Sequence, residues 1–210
     1  MIRRFNPDLA ILNLHRVVTE EEYTRSINKP MMLTESRFEA LIGEIRRHCY
    51  PLSLSDALKQ MDSGQKLRPG SIAVTFDDGY CDVYQRAYPL LRSYDIPATM
   101  FVTTSVVDNP QHYLWWDEVD YLCANDAMDS ILSAETGTEE TRRARDCIAR
   151  LREDRSEASE GRVRRVFSGM PQRERDRIVG KIRQEASASV PRARLMLSWD
   201  EVRAMSDMFE

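Results

Sequence analysis

The stretch that most narrows the possible folds is Ser71-Ile72-Ala73-Val74-Thr75-Phe76, an apolar run entered from Pro69-Gly70 and left through Asp77-Asp78-Gly79. Its β-branched and aromatic residues, bounded by turn formers on both sides, predict a buried strand. A helical stretch follows from Asp82 to Tyr94, with Val83, Ala87, Leu90, Leu91 and Tyr94 on its apolar side. Pro89 should bend it, because proline removes one helical hydrogen bond and crowds the preceding turn. Ile96-Pro97 then leads into a second strand, Ala98 to Val102. Strand, helix and strand within roughly thirty residues make a βαβ unit, so the sheet should be parallel with a right-handed crossover. The expected class is α/β.

Residues 10–14 read as a further short buried strand that ends at His15. Ser36-Arg37-Phe38-Glu39 has capping-box spacing, with Phe38, Leu41, Ile42 and Ile45 behind it at helical intervals. A second short helix is expected from Ser55 to Met61, with Asp62-Ser63-Gly64 ending it. The character changes after Trp116. Residues 122–194 are rich in Arg, Glu, Asp, Ser and Ala and show no strand pattern. Ile131, Leu132, Ile148, Leu151, Val163, Val166, Ile178 and Ile182 recur at sparse helical intervals, which predicts a helical insertion with loops near Gly137, Gly161 and Gly169 to Pro171. Residues 161–183 are locally basic, a pattern open to two readings: a solvated helical face or a polyanion-binding surface. A capping box, Ser198-Trp199-Asp200-Glu201, opens a last helix that is expected to run to the end of the chain. The division expected is 1–121, 122–194 for the insertion, and 195–210. Three strands are expected before the insertion and none after it.

Composition excludes some functions. A net charge of −4 and a pI near 5.6 give no general attraction to nucleic acid or anionic membrane. The apolar run Leu9 to Leu14 is too short for a membrane span or a secretory core, which points to a cytoplasmic protein with no membrane segment. Cys49, Cys81, Cys123 and Cys147 form no Cys-x-x-Cys pair, so small buried thiols are expected rather than a zinc knuckle or disulfide framework.

Two adjacent carboxylates, Asp77 and Asp78, stand where a buried strand ends. In a parallel α/β protein that edge is where ligands are handled, and one carboxylate can face a metal while the other faces a water. Asp-Asp-Gly taken alone is also an ordinary turn sequence.

The wider context resembles the polysaccharide deacetylase family, which includes the nodulation chitooligosaccharide deacetylases. Thr75-Phe76-Asp77-Asp78-Gly79-Tyr80 is similar to the family's first motif, and Ile11-Leu12-Asn13-Leu14-His15-Arg16 to its opening strand. Pro69 to Val74, Tyr88-Pro89-Leu90-Leu91, Ile96 to Val102, Leu114-Trp115-Trp116-Asp117-Glu118 and Leu197 to Val202 follow in the family's order. The resemblance implies a distorted (β/α) barrel, here an incomplete one carrying the helical insertion, since a complete barrel takes roughly 250 residues. Asp77 corresponds to the general base that activates a metal-bound water, and Asp78 to a metal ligand. The implied cofactor is a divalent metal, usually zinc, and the implied substrate an N-acetylated oligo- or polysaccharide that loses acetate. His15 corresponds to a histidine near the metal, in a supporting role or as a buried, hydrogen-bonded residue. Trp115 and Trp116 could stack on sugar rings or anchor a loop and the core.

One departure matters. The family's His-x-x-x-His pair follows the Ser198 helix, and the sequence reaches Glu210 before it; His48 and His112 form no such pair. One ligand of three is not a catalytic zinc site. Weak or absent metal binding and an inactive chain are therefore expected, with open sheet edges that invite self-association. Two rivals stand beside a deacetylase: a non-catalytic remnant that binds carbohydrate or a partner, and an amidase acting on a non-sugar C–N bond.

Overall fold

A computed structural model describes residues 9–109, 113–124, 138–186 and 193–210, with side chains placed outside 181–186. His112, Ile131, Leu132 and Gly137 lie outside the described residues, as does the Ile182 side chain. The elements run β1 (Ala10–Leu14), β2 (Arg16–Val18), α1 (Glu20–Arg25), β3 (Met32–Thr34), α2 (Glu35–His48), β4 (Tyr50–Pro51), α3 (Leu54–Asp62), β5 (Ser71–Asp78), α4 (Tyr88–Tyr94), β6 (Ala98–Val102), α5 (Trp115–Ala124), α6 (Glu139–Glu153), α7 (Glu157–Gly169), α8 (Gln172–Ala186) and α9 (Trp199–Met205). The protein is α/β. No described helix is long and apolar enough to cross a membrane.

Packing divides the chain into two compact units. The first holds the described residues of Met1–Tyr23, Met31–Pro110 and Arg194–Glu210; the second holds those of Thr24–Pro30 and Gln111–Ala193. The boundary expected from the sequence lies later, at 121/122. The difference lies in α5, whose Val119 and Leu122 join the apolar cluster formed by Ala144, Ile148, Leu151, Val163 and Phe167 of the inserted helices.

In the first unit β5 is the central strand. It pairs in parallel with β1 on one side, from Ala10↔Ile72 to Leu14↔Phe76. On the other side it pairs in parallel with β4 and with β6, the latter from Val74↔Ala98 to Asp78↔Val102. The parallel sheet expected from the βαβ unit is therefore present. Alternation along β5 gives the sheet two characters. One face carries Val74 and Phe76, and Phe76 packs edge-on against Phe38 of α2 at 6.0 Å between ring centroids and beside Phe209 at 5.9 Å. Burying an aromatic ring this fully contributes about 2–3 kcal/mol. The other face carries a polar row, Asn13, Thr75 and Thr99, in register across β1, β5 and β6.

Several expectations need correction. β2, β3 and β4 were not anticipated: each is only two or three residues long, too short for an alternation to show. Ser36 does not cap α2. The helix starts at Glu35 behind an extended Thr34, the last residue of β3, and the Ser36 hydroxyl turns to Thr34 and Glu20. Gly161 lies inside α7 rather than in a loop. Pro89 sits in the first turn of α4, where its missing amide is tolerated, directly after a π-helical turn at Val83–Ala87. The last helix does open with the expected Ser198–Glu201 capping box, but it ends at Met205. Met208–Glu210 then extends alongside β6: the Ala98 amide donates to Met208 O at 3.1 Å and the Met100 amide to Glu210 O at 2.9 Å. Strand-like pairing thus follows the insertion, where none was expected.

Candidate active site

Asp77 and Asp78 end the central strand, and the backbone at that point is unusual. Asp78 has φ 72° and Gly79 φ 87°, both in the left-handed region. Only glycine enters that region without cost, and a non-glycine residue held there stores on the order of 1 kcal/mol or more. Gly79 is required twice over, because a Cβ there would lie 3.1 Å from Val102 Cγ1. The turn is held by its neighbours. The Thr103 amide donates to Asp78 O, the Leu197 amide to Gly79 O and the Cys81 amide to Leu195 O, at 3.2, 2.9 and 2.8 Å. Tyr80 bridges Met196 in antiparallel fashion. The segment 195–197 therefore clamps the motif.

Asp77 continues the polar face of the sheet. Asn13 Nδ2 donates to Asp77 Oδ2 at 2.8 Å, and the Thr75 hydroxyl donates to Asn13 Oδ1 at 3.0 Å. His15 comes one residue past the Leu14↔Phe76 pair and places Nε2 4.0 Å from the same Oδ2. Burial pushes the Asp78 carboxyl above its usual range; the His15 imidazole pulls it down and the Asp77 carboxylate pushes it further up. The structure thus brings Asp77, Asp78 and His15 together at one strand end.

Beneath them lies a pair that the sequence did not reveal. Arg16 Nε donates to Asp82 Oδ2 at 2.7 Å, and the Val17 amide donates to Asp82 Oδ1 at 3.2 Å. The guanidinium also stacks over the fully buried Tyr80 ring, 4.8 Å from its centroid. This ties the segment just after His15 to the segment just after Gly79. Next to Asp82, burial pushes the Cys81 thiol up to about 11, which makes it an inert packing group. All four cysteines are free.

Trp115 and Trp116 belong to the second unit. They meet edge to face at 5.4 Å, and the Arg175 guanidinium stacks on Trp115 at 4.4 Å. Asn28 Nδ2 donates to the Trp116 carbonyl. His48, the last residue of α2, lies beside Glu44 on an exposed surface.

A resident metal needs converging ligands. Among the described residues no three His, Cys, Asp or Glu groups converge as such a set. Asp78 with its neighbour His15 offers a partial set, so these residues do not fit a catalytic metal on their own.

Residues 64–155, which include both aspartates, match the family model described as polysaccharide deacetylase. The chain is 30% identical over 88 residues to the polysaccharide deacetylase-named protein YxkH of Bacillus subtilis (strain 168), covering 41% of this chain and 32% of that protein. It is 30% identical over 103 residues to a protein named poly-beta-1,6-N-acetyl-D-glucosamine N-deacetylase of Staphylococcus epidermidis, covering 45% and 35%. The chain thus matches about a third of the length of these relatives. Among solved structures, a de-N-acetylase from Aggregatibacter actinomycetemcomitans superposes on 96% of this chain and 52% of its own, with a TM-score of 0.50 at 16% identity. That likeness concerns the fold, which is of the (β/α) barrel type. Through residues 64–155, then, the chain is similar to the polysaccharide deacetylase family.

Proposed function

We propose that this chain supplies the catalytic base of a carbohydrate N-deacetylase that removes acetyl groups from a polymer of N-acetylglucosamine. The observation that carries the reading is the strand end itself: two consecutive carboxylates, one continuing a polar sheet face and the other on a left-handed turn, with His15 beside them. Asp77 is the base. Its carboxylate takes a proton from a water as the water oxygen attacks the acetamide carbon. The tetrahedral intermediate collapses when a proton reaches the nitrogen and the C–N bond breaks, leaving acetate and an amino sugar. Asp78 is proposed as one ligand of a divalent cation, zinc by the family resemblance, whose remaining ligands the described residues do not supply. The names of the staphylococcal relatives favour a β-1,6-linked polymer over a chitooligosaccharide as substrate.

The test is completion. Residues up to Ser198 are joined to the remaining part of a poly-β-1,6-N-acetylglucosamine deacetylase, and free acetate is measured with the acetylated oligomer. Acetate release is expected. A protein that folds and binds zinc yet releases no acetate from any acetylated sugar, while cleaving a cyclic amide, would replace this reading with the amidase one.

A further inference from the structure

The hydrogen bonds around Asp77 run in a defined direction. A carboxylate only accepts, so the group that Asn13 turns toward Asp77 Oδ2 must be its amide NH₂, as the 2.8 Å contact has it. That orientation leaves Asn13 Oδ1 facing Thr75, and an amide oxygen accepts, so the Thr75 hydroxyl donates there at 3.0 Å in preference to the Leu12 carbonyl at 3.5 Å. Asn13 and Thr75 are paired in register on β1 and β5, and Asp77 lies two residues beyond Thr75 on the same face. The relay is therefore built on two rigid strands. Among the described residues no side chain hydrogen-bonds Oδ1 of Asp77; both Asn13 and His15 approach Oδ2. One oxygen is therefore tethered, while the other takes no side-chain hydrogen bond among the described residues.

We infer that Asn13, with its amide oriented by Thr75, is a positioning residue for Asp77: it fixes the aspartate's side-chain rotamer and keeps Oδ1 directed to the reacting water. This rests on the reading of Asp77 as the base. The structural reason for using a neutral amide follows from the surroundings. Asp78 already places a second carboxyl group at this strand end, and a neutral donor holds the Asp77 carboxylate without adding a charge there.

The relay can be read without turnover, in the 210-residue chain itself, from the three-bond couplings between Asp77 Cγ and its backbone N and C′, which report the rotamer. The wild-type chain is expected to show a single rotamer and two separate, slowly exchanging Asn13 Nδ2 protons. Asn13→Ala should lose the single-rotamer pattern and give averaged couplings. Thr75→Val, which keeps the shape but removes the donor, should lose the slow Nδ2 exchange and partly average the Asp77 couplings, and Thr75→Ser should restore both. If Asn13→Ala destabilises the fold, the Thr75→Val and Thr75→Ser pair carries the test. Unchanged Asp77 couplings in a folded Asn13→Ala or Thr75→Val chain overturn the proposal. Failure of the underlying reading shows elsewhere, as a completed enzyme carrying Asp77→Asn that keeps its turnover.

Discussion

Asp82 and Arg16 are hydrogen-bonded partners left only 2% and 7% exposed; burial pushes the Asp82 carboxyl up and the Arg16 guanidinium pulls it down, so removing the guanidinium leaves the carboxyl in a site that penalises its charge. Breaking a buried pair typically costs about 3–5 kcal/mol, whereas replacing both partners by apolar groups is far milder. Asp82→Ala should therefore lower the unfolding free energy by roughly that amount in urea titration. Arg16→Met combined with Asp82→Leu should recover most of the loss; an equally unstable double variant would mean that the Val17 amide and Tyr80 contacts, not the charge pair, hold the segment. At this scale the sequence was partly legible. Asp77, Asp78 and Gly79 stood out because a buried strand ended on them. Asn13 and Arg16 did not, since their partners lie 64 and 66 residues away and nothing local marks them as polar groups facing a strand end.

Among the elements, the long ones were readable and the short ones were not. β5, β6 and the last capping box carry strong local signals: an apolar run between turn formers, or a hydroxyl and a carboxylate at fixed spacing. β2 and β3 exist because they pair with each other, Arg16↔Met32 to Val18↔Thr34, and no periodicity over three residues could announce that. In the inserted helices, Glu174 in the first turn of α8 accepts from Thr138 and Thr141 at the start of α6 and from Arg177 of its own helix. Those hydrogen bonds, Arg177 first, hold its carboxyl down at about 2. The folded value lies below the unfolded one, near 4.5. Its stabilisation is therefore present above pH 4.5 and is lost as pH falls from there toward 2. Partial exposure screens the contribution, so Glu174→Gln should cost about 1 kcal/mol at pH 7 and nothing near pH 2. Unfolding free energies of both proteins across that range check it; a gap that persists at pH 2 would assign the effect to packing.

For the molecule as a whole, the parallel sheet and the helical character of residues 139–186 followed from the sequence, and the packing of α5 against those helices did not. The apolar stripe of that helix shows that it is buried, without showing which core buries it. The pairing of Met208–Glu210 with β6 was hidden for the same reason, as a strand two or three residues long is defined by its neighbour. What the two aspartates do is the central claim, and it separates cleanly in the completed enzyme. Bound zinc and acetate release should be measured side by side for Asp77→Asn and Asp78→Ala. Asp77→Asn should keep its zinc while acetate release falls by about 10²-fold or more, and Asp78→Ala should lose both together. An Asp77→Asn protein that still releases acetate at the parent rate, or an Asp78→Ala protein that retains zinc and turnover, would contradict the claim.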